Sequence, residues 1–219
     1  MPTKIIKIED HYGKECLRDS FTMKNRKDNG RPAGFVEIYE TNNETEIKKL
    51  LGKHNLVVYQ GREQIGQRLL GIKNPNIPQE VNEFVCWFGL GSGGVTESNP
   101  FDPISPTNQD LDLNEPVMIN ETDPLCGDFQ VDGYYKHPFD SVETEQDHEN
   151  DEKYLIWKII VTVDVDDAND NIISEAGLYT ASNSSGGYDG NFHLYARVTF
   201  PALVKTSLRS FIFVWYLFF

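Results

Sequence analysis

The residues of this chain that come nearest to a chemical motif are the glycines of Gly89-Leu90-Gly91-Ser92-Gly93-Gly94, which follow an apolar run. A phosphate-binding turn sits in that position, because backbone amides at the end of a strand can converge on phosphate oxygens. A dinucleotide-binding turn needs G-x-G-x-x-G opening a helix, and a P-loop needs Gly-Lys-Ser/Thr. Here Val95-Thr96-Glu97-Ser98-Asn99-Pro100 follows, with neither a lysine nor a helix signal. The glycines are therefore expected to let the chain turn sharply out of a buried strand or to admit another backbone at close range.

Asp164-Val165-Asp166-Asp167-Ala168-Asn169-Asp170-Asn171 has the oxygen-rich look of a calcium loop. Counted from Asp167, however, Ile172 stands where an EF-hand loop needs glycine and Leu178 where it needs glutamate. A turn between two strands, rich in Asp and Asn because both tolerate left-handed backbone, is the expectation, with a loose surface calcium site as the alternative. The histidines His11, His54, His137, His148 and His193 show no i, i+4 pairing and no cysteine at zinc spacing, so no metal centre is expected. The serines lie mostly in turns such as Asn183-Ser184-Ser185-Gly186-Gly187, and no G-x-S-x-G elbow occurs. A pair of glycosidase carboxylates within 140–152 has no aromatic platform beside it, and a charge run of that kind is usually a solvated face. No catalytic residue and no cofactor is expected.

The elements that would carry any site are strands. Residues 153–165 (KYLIWKIIVTVDV), 172–179 (IISEAGLY), 191–200 (NFHLYARVTF) and 209–219 (RSFIFVWYLFF) are filled with β-branched and aromatic residues and separated by Asp, Asn, Ser, Gly and Pro. The apolar run 211–219 is too short for a membrane helix, which needs about 20 residues, and reads as a buried closing strand. Trp87, Trp157 and Trp215 all fall inside apolar strand runs and are expected in the core. Upstream, 34–40 (GFVEIYE) alternates as a half-buried strand, 54–59 (HNLVVY) is a strand, and 83–90 (EFVCWFGL) is a strand buried on both faces. Ile47, Leu50 and Leu51 in 44–51 have helical spacing, as do Ile65, Leu69 and Leu70 in 61–70, which ends at Gly71. Two short helices or helical turns are expected there.

Four prolines, Pro100, Pro103, Pro106 and Pro116, interrupt the residues after the glycine run, so 95–114 is expected to be a long surface loop. Residues 117–120 read as a further strand. The stretch 140–152 holds seven acidic residues and no Lys or Arg, and reads as a solvated loop. Residues 1–33 are too polar to bury a core of their own and read as an extended arm. Its basic residues, among them Arg18, Lys24, Arg26, Lys27 and Arg31, contrast with an acidic remainder. Two readings of the arm stand: a disordered tail, or a segment that Arg18, Arg26, Lys27 and Arg31 dock on an acidic neighbouring subunit, where it orders. The domain proper is 34–219, and no internal repeat is visible.

The whole chain carries 34 Asp+Glu against 20 Lys+Arg, a net charge of −14. That balance speaks against a nucleic-acid surface, which needs clustered cations to release counterions, and favours a soluble, mutually repelling subunit. Cys16, Cys86 and Cys126 are too few and too dispersed for a disulfide framework, and the first fifteen residues hold no apolar core of a secretory signal. The sequons at Asn43, Asn120 and Asn183 carry little weight without one. Neither a membrane nor a nucleic acid is expected as partner.

The order of segments resembles virion structural proteins of tailed bacteriophages. The resemblance runs over 54–219 and rests on HNLVVYQGRE leading into a short helix and WFGLGSGG leading into the Pro/Asp-rich stretch that ends DLDLNEP. ISEAGLY and LYARVTF complete it. It implies an antiparallel β-sandwich subunit of the neck, collar, tail or fibre apparatus, made in the bacterial cytoplasm and built into the virion. The implied partners are portal, connector, tail or fibre subunits and further copies of itself. The long polar arm and the acidic run 140–152 depart from the pattern of fibre and collar subunits.

Within ISEAGLY, strict alternation places Ile173, Glu175, Gly177 and Tyr179 on one face and Ser174, Ala176 and Leu178 on the other. In the next strand His193, Tyr195, Arg197 and Thr199 alternate with Leu194, Ala196, Val198 and Phe200. Glu175 and Arg197 are then expected to face each other across a hairpin and to set its register. The fold expected overall is mainly β, an antiparallel sandwich with one or two short helices. Its expected role is structural, in the neck, head-to-tail connector or collar. The alternatives are a receptor- or glycan-binding fibre or baseplate module and, at greater distance, a glycan hydrolase.

Overall fold

Period-two patterning and β-branched residues dominate the chain, and in the computed structural model almost every described segment is a strand. The described residues are 33–42, 46–58, 60–62, 65, 84–118, 130–131, 134–146, 155–181 and 192–218, all within the compact unit Pro32–Phe219. In chain order the strands are β1 (Ala33–Asn42), β2 (Glu46–Val57), β3 (Phe84–Gly91), β4 (Val95–Thr96), β5 (Asn99–Pro103), β6 (Gln130–Val131), β7 (Tyr134–Pro138), β8 (Ser141–Gln146), β9 (Leu155–Val163), β10 (Ile172–Ala181), β11 (His193–Val204) and β12 (Ser210–Phe218). β4 and β5 form a two-stranded ribbon; the other ten make one sheet in the order β6-β7-β3-β10-β11-β2-β1-β12-β9-β8. Every neighbouring pair is antiparallel.

The sheet curls on itself, so that one face of its two halves forms the core. Val36 and Ile38 of β1, Phe211, Phe213, Trp215 and Leu217 of β12, and Ile159, Val161 and Val163 of β9 meet Phe88 and Leu90 of β3, Ala176 and Leu178 of β10, and Ala196, Val198 and Phe200 of β11. Phe88 and Phe213, five strands apart in the sheet, lie 4.8 Å apart between ring centroids. One strand links the halves: β2 pairs with β1 over most of its length and with β11 only through Val57↔Ala196 and Leu56↔Arg197. β12 is central, between β1 and β9, as expected of a buried closing strand. Its end lies beside the start of β1, with Ala33 opposite Phe218.

Several expectations are corrected. Residues 46–57 are strand β2, where helical spacing was expected in 44–51. A register shift at this point of the β1–β2 ladder leaves Leu50 without a β1 partner, since Ile38 opposes Leu51 and Tyr39 opposes Lys49. Two adjacent leucines on a bulged strand imitate the i+3, i+4 spacing of a helix. Of the second expected helix, Gly61, Arg62 and Ile65 are helical, as is Gln60 just before it; the rest of 61–70 lies outside the described residues. β1 is buried on both faces and not half-buried, with Phe35, Glu37 and Tyr39 as inaccessible as Val36 and Ile38. The acidic run 140–152 begins as an edge strand, β8, hydrogen-bonded to β9, and its residues 147–152 lie outside the described residues. Acidic side chains at an edge also discourage further strand pairing. The stretch 95–114 is partly the β4–β5 ribbon, and residues 116–118 splice between β3 and β7 through Val117 N–H to Leu90 O and Tyr135 N–H to Val117 O, each 2.9 Å. The arm, including Arg18, Arg26, Lys27 and Arg31, lies outside the described residues.

Two bulges reset the faces expected from strict alternation. The β10–β11 register shifts between Ile173 and Glu175, so Ile173 shares the core face with Ala176 and Leu178. A second shift places Tyr179 opposite Leu194, and these two pack with Trp87, Cys86, Ala181, Val58 and Leu113 in a separate cluster on the other face.

Candidate functional site

The face of β3, β10 and β11 turned away from the core gathers the glycines, acids and arginine that stand out in the sequence. Glu175 is fully buried there, and both its carboxylate oxygens are engaged. Oε1 accepts from the backbone N–H of Gly93 (3.2 Å) and of Glu115 (3.0 Å), and Oε2 accepts from Arg197 Nε (2.9 Å) and Nη2 (2.5 Å). The third reach of the guanidinium, Nη1, goes to Asp110 Oδ2 at 2.6 Å. Glu175 and Arg197 do meet, as expected, but diagonally: Glu175 opposes Thr199 and Gly177 opposes Arg197 in the ladder. The pair is buried and shared with a loop.

The loop from Ile104 to Glu115 is fastened by this network along its length. Thr199 Oγ1 donates to Ile104 O (2.6 Å), Asn114 Nδ2 to Gly93 O (3.1 Å) and Ser92 Oγ to Glu115 Oε2 (3.1 Å). Tyr179 donates its hydroxyl to Asp112 Oδ1 (2.5 Å), and Leu113 is buried in the adjoining apolar cluster. Thr107 hydrogen-bonds Asp110 with both its hydroxyl and its N–H. Burial alone would raise the pKa of Asp110; these bonds and the Arg197 guanidinium hold it below the usual value.

The glycines make the fit possible. A Cβ on Gly91 would run into the Glu175 carboxylate, and one on Gly94 into the Ser174 carbonyl. Ser174 Oγ takes the Gly94 N–H (2.9 Å) and donates to Ser92 O (2.5 Å). The glycine run thus admits close backbone approach. Lys136 of β7 reaches the same face over Gly89, its ammonium 3.7 Å from the centre of the Tyr179 ring. Burial pushes its pKa down to about 8 against the pull of Asp112 and Glu175. The Tyr179 phenol is pushed far up by burial and by the Asp112 carboxylate.

Chemically this is a latch: a carboxylate with all four hydrogen-bonding positions filled is poorly placed to accept a proton from a substrate. Lys136, Asp110 and Asp112 were not singled out as site residues from sequence. The signal for the two aspartates was the alternation Asp110-Leu111-Asp112-Leu113 inside a proline-rich loop; for Lys136 there was none beyond a lysine between aromatic residues in YYKHP.

Elsewhere, the Asp/Asn turn 164–171 takes left-handed backbone at Ala168 (φ 48°) and Asp170 (φ 63°), as a tight turn requires. Its cation is supplied by the chain. The fully buried Lys205 ammonium donates to Val165 O (3.3 Å), Asn169 Oδ1 (2.9 Å) and Thr206 O (3.2 Å). A second buried carboxylate, Glu37, takes Lys49 (2.5 Å), Tyr39 (2.7 Å) and Tyr216 (3.3 Å). At the edge, Glu143 pairs with Lys158 (3.5 Å) and Asp140 accepts the Thr162 N–H (2.6 Å). Trp87 and Trp215 are buried as expected, but Trp157 is 37% exposed. Comparison with protein-family models, with curated proteins and with solved structures found no match for this chain.

Proposed function

We propose that the protein is a structural subunit of a tailed-phage virion, in the neck, head-to-tail connector or collar, with the two halves of its curled sheet forming the layers of a β-sandwich. The observation that carries the reading is the latch. The residues most suggestive of chemistry, Glu175, Arg197, Asp110 and the glycines, are spent on one another and hold a long loop rigidly on the sheet. That loop and the β5 strand before it present apolar side chains to solvent, Leu111 at 75% and Phe101 at 74% exposure, as a surface meant for another protein does. The resemblance of the segment order to phage virion proteins points the same way. The basic arm and the latched loop contact neighbouring subunits, and the acidic remainder keeps free subunits apart until they are placed.

Antibodies raised against the protein should decorate purified particles at one axial position by negative-stain imaging. Deleting residues 1–32 should leave the domain folded but prevent its incorporation. Particles that lack the protein altogether, or a truncated chain that incorporates normally, would defeat the proposal.

A further inference from the structure

Residues from the two halves of the sheet line an open cleft of about 400 Å³. Phe84, Thr180 and Tyr195 stand on the β3, β10 and β11 side, and Val142, Trp157 and Leu217 on the β8, β9 and β12 side. Packed interiors leave few voids larger than a water molecule, whereas small-molecule sites occupy about 300–1,000 Å³. Phe84, Val142 and Trp157 are left 41%, 48% and 37% exposed around it. Large apolar side chains lining a concave space in this way are the usual wall of a ligand site.

A second observation concerns a polar group of the wall, on Tyr195. Thr180 donates its hydroxyl to His193 O at 3.5 Å. Tyr195 is buried to 2% exposure, and its hydroxyl bonds to no described residue; desolvation alone pushes its pKa up. Tyr195 lines the cleft, and a phenol hydroxyl without a bond to a described residue keeps its donor available there. No Lys, Arg, Asp or Glu belongs to the lining among the described residues, so a charged ligand would lose its hydration without a counter-ion.

We infer that the cleft binds a neutral, largely apolar small molecule whose single hydrogen-bond acceptor, a carbonyl or an ether oxygen, meets the Tyr195 hydroxyl. This site is separate from the latch and does not depend on the virion assignment.

The test uses the full chain and two uncharged fluorescent probes, Nile red, which carries a ring carbonyl, and pyrene, which carries no acceptor. Both should bind saturably, one per chain, and displace each other. Tyr195→Phe should weaken Nile red about tenfold, the worth of one buried hydrogen bond, and leave pyrene unchanged. Val142→Trp should fill the mouth and abolish both. Absence of saturable binding to the folded protein, undiminished binding by a folded Val142→Trp, or equal effects of Tyr195→Phe on both probes would overturn the inference. If Val142→Trp does not fold, competition decides: probes that bind without displacing each other do not share a cleft.

Discussion

Glu175 shows how far one side chain can be read in advance. Its partnership with Arg197 follows from period-two alternation in two adjacent strands, because parity alone puts both on one face. Its other partners, the Gly93 and Glu115 amides, come from chain 82 and 60 residues away, and Arg197 takes Asp110 from 87 residues away; no local pattern encodes them. Removing one member of a buried ionic network leaves the rest desolvated and unpaired, which costs about 3–5 kcal/mol. Glu175→Ala should therefore lower the stability by that amount in urea titrations, and Glu175→Gln, which still accepts amide protons, by clearly less. Equal losses for the two variants would mean that the negative charge, which both remove, is all that Glu175 contributes and that its amide bonds count for nothing. Lys136 gives a pH signature. Its folded-state pKa of about 8 lies below the ordinary 10.5, so between those values the unfolded chain holds more protons and stability rises with pH. At about 1.4 kcal/mol per unit, wild type should gain about 2 kcal/mol relative to Lys136→Met between pH 7.5 and 10. A difference that stays flat would show that the ammonium is not desolvated.

At the scale of elements, composition identified the β class and most of the long strands, since β-branched and aromatic runs punctuated by turn residues have few other uses. The errors fell where tertiary contact overrides local pattern. β2 imitated a helix because of its bulge, β8 was hidden by its acids, and the β4–β5 ribbon and the 116–118 splice sit among prolines. The glycine run was read correctly as a place of close approach. Gly94→Ala tests this, because its Cβ would meet the Ser174 carbonyl, a backbone atom that cannot swing aside. The substitution should cost about 1–3 kcal/mol, read as a lowered thermal midpoint. An unchanged midpoint would mean that the Ser92–Gly94 turn is not held against β10.

For the molecule as a whole, the ladder that joins the halves of the sheet is short among the described residues, two residue pairs of β2 and β11 extended by Val58 N–H to Tyr195 O, and the aromatic contacts Phe88–Phe213 and Phe200–Phe213 draw the halves together. Closure of the fold is thus a matter of packing more than of ladder hydrogen bonds, which is why a strand-by-strand reading predicts the parts better than their order. The placement of Ala33 opposite Phe218 has a mechanical meaning. A load applied between the two ends of this domain pulls apart adjacent, antiparallel neighbours, and so meets their hydrogen bonds one after another, as a zipper does, while the same ladder loaded along its length would resist with all of them at once. A subunit anchored through both ends would be soft in tension there, and its stiffness would have to come from contacts elsewhere on its surface.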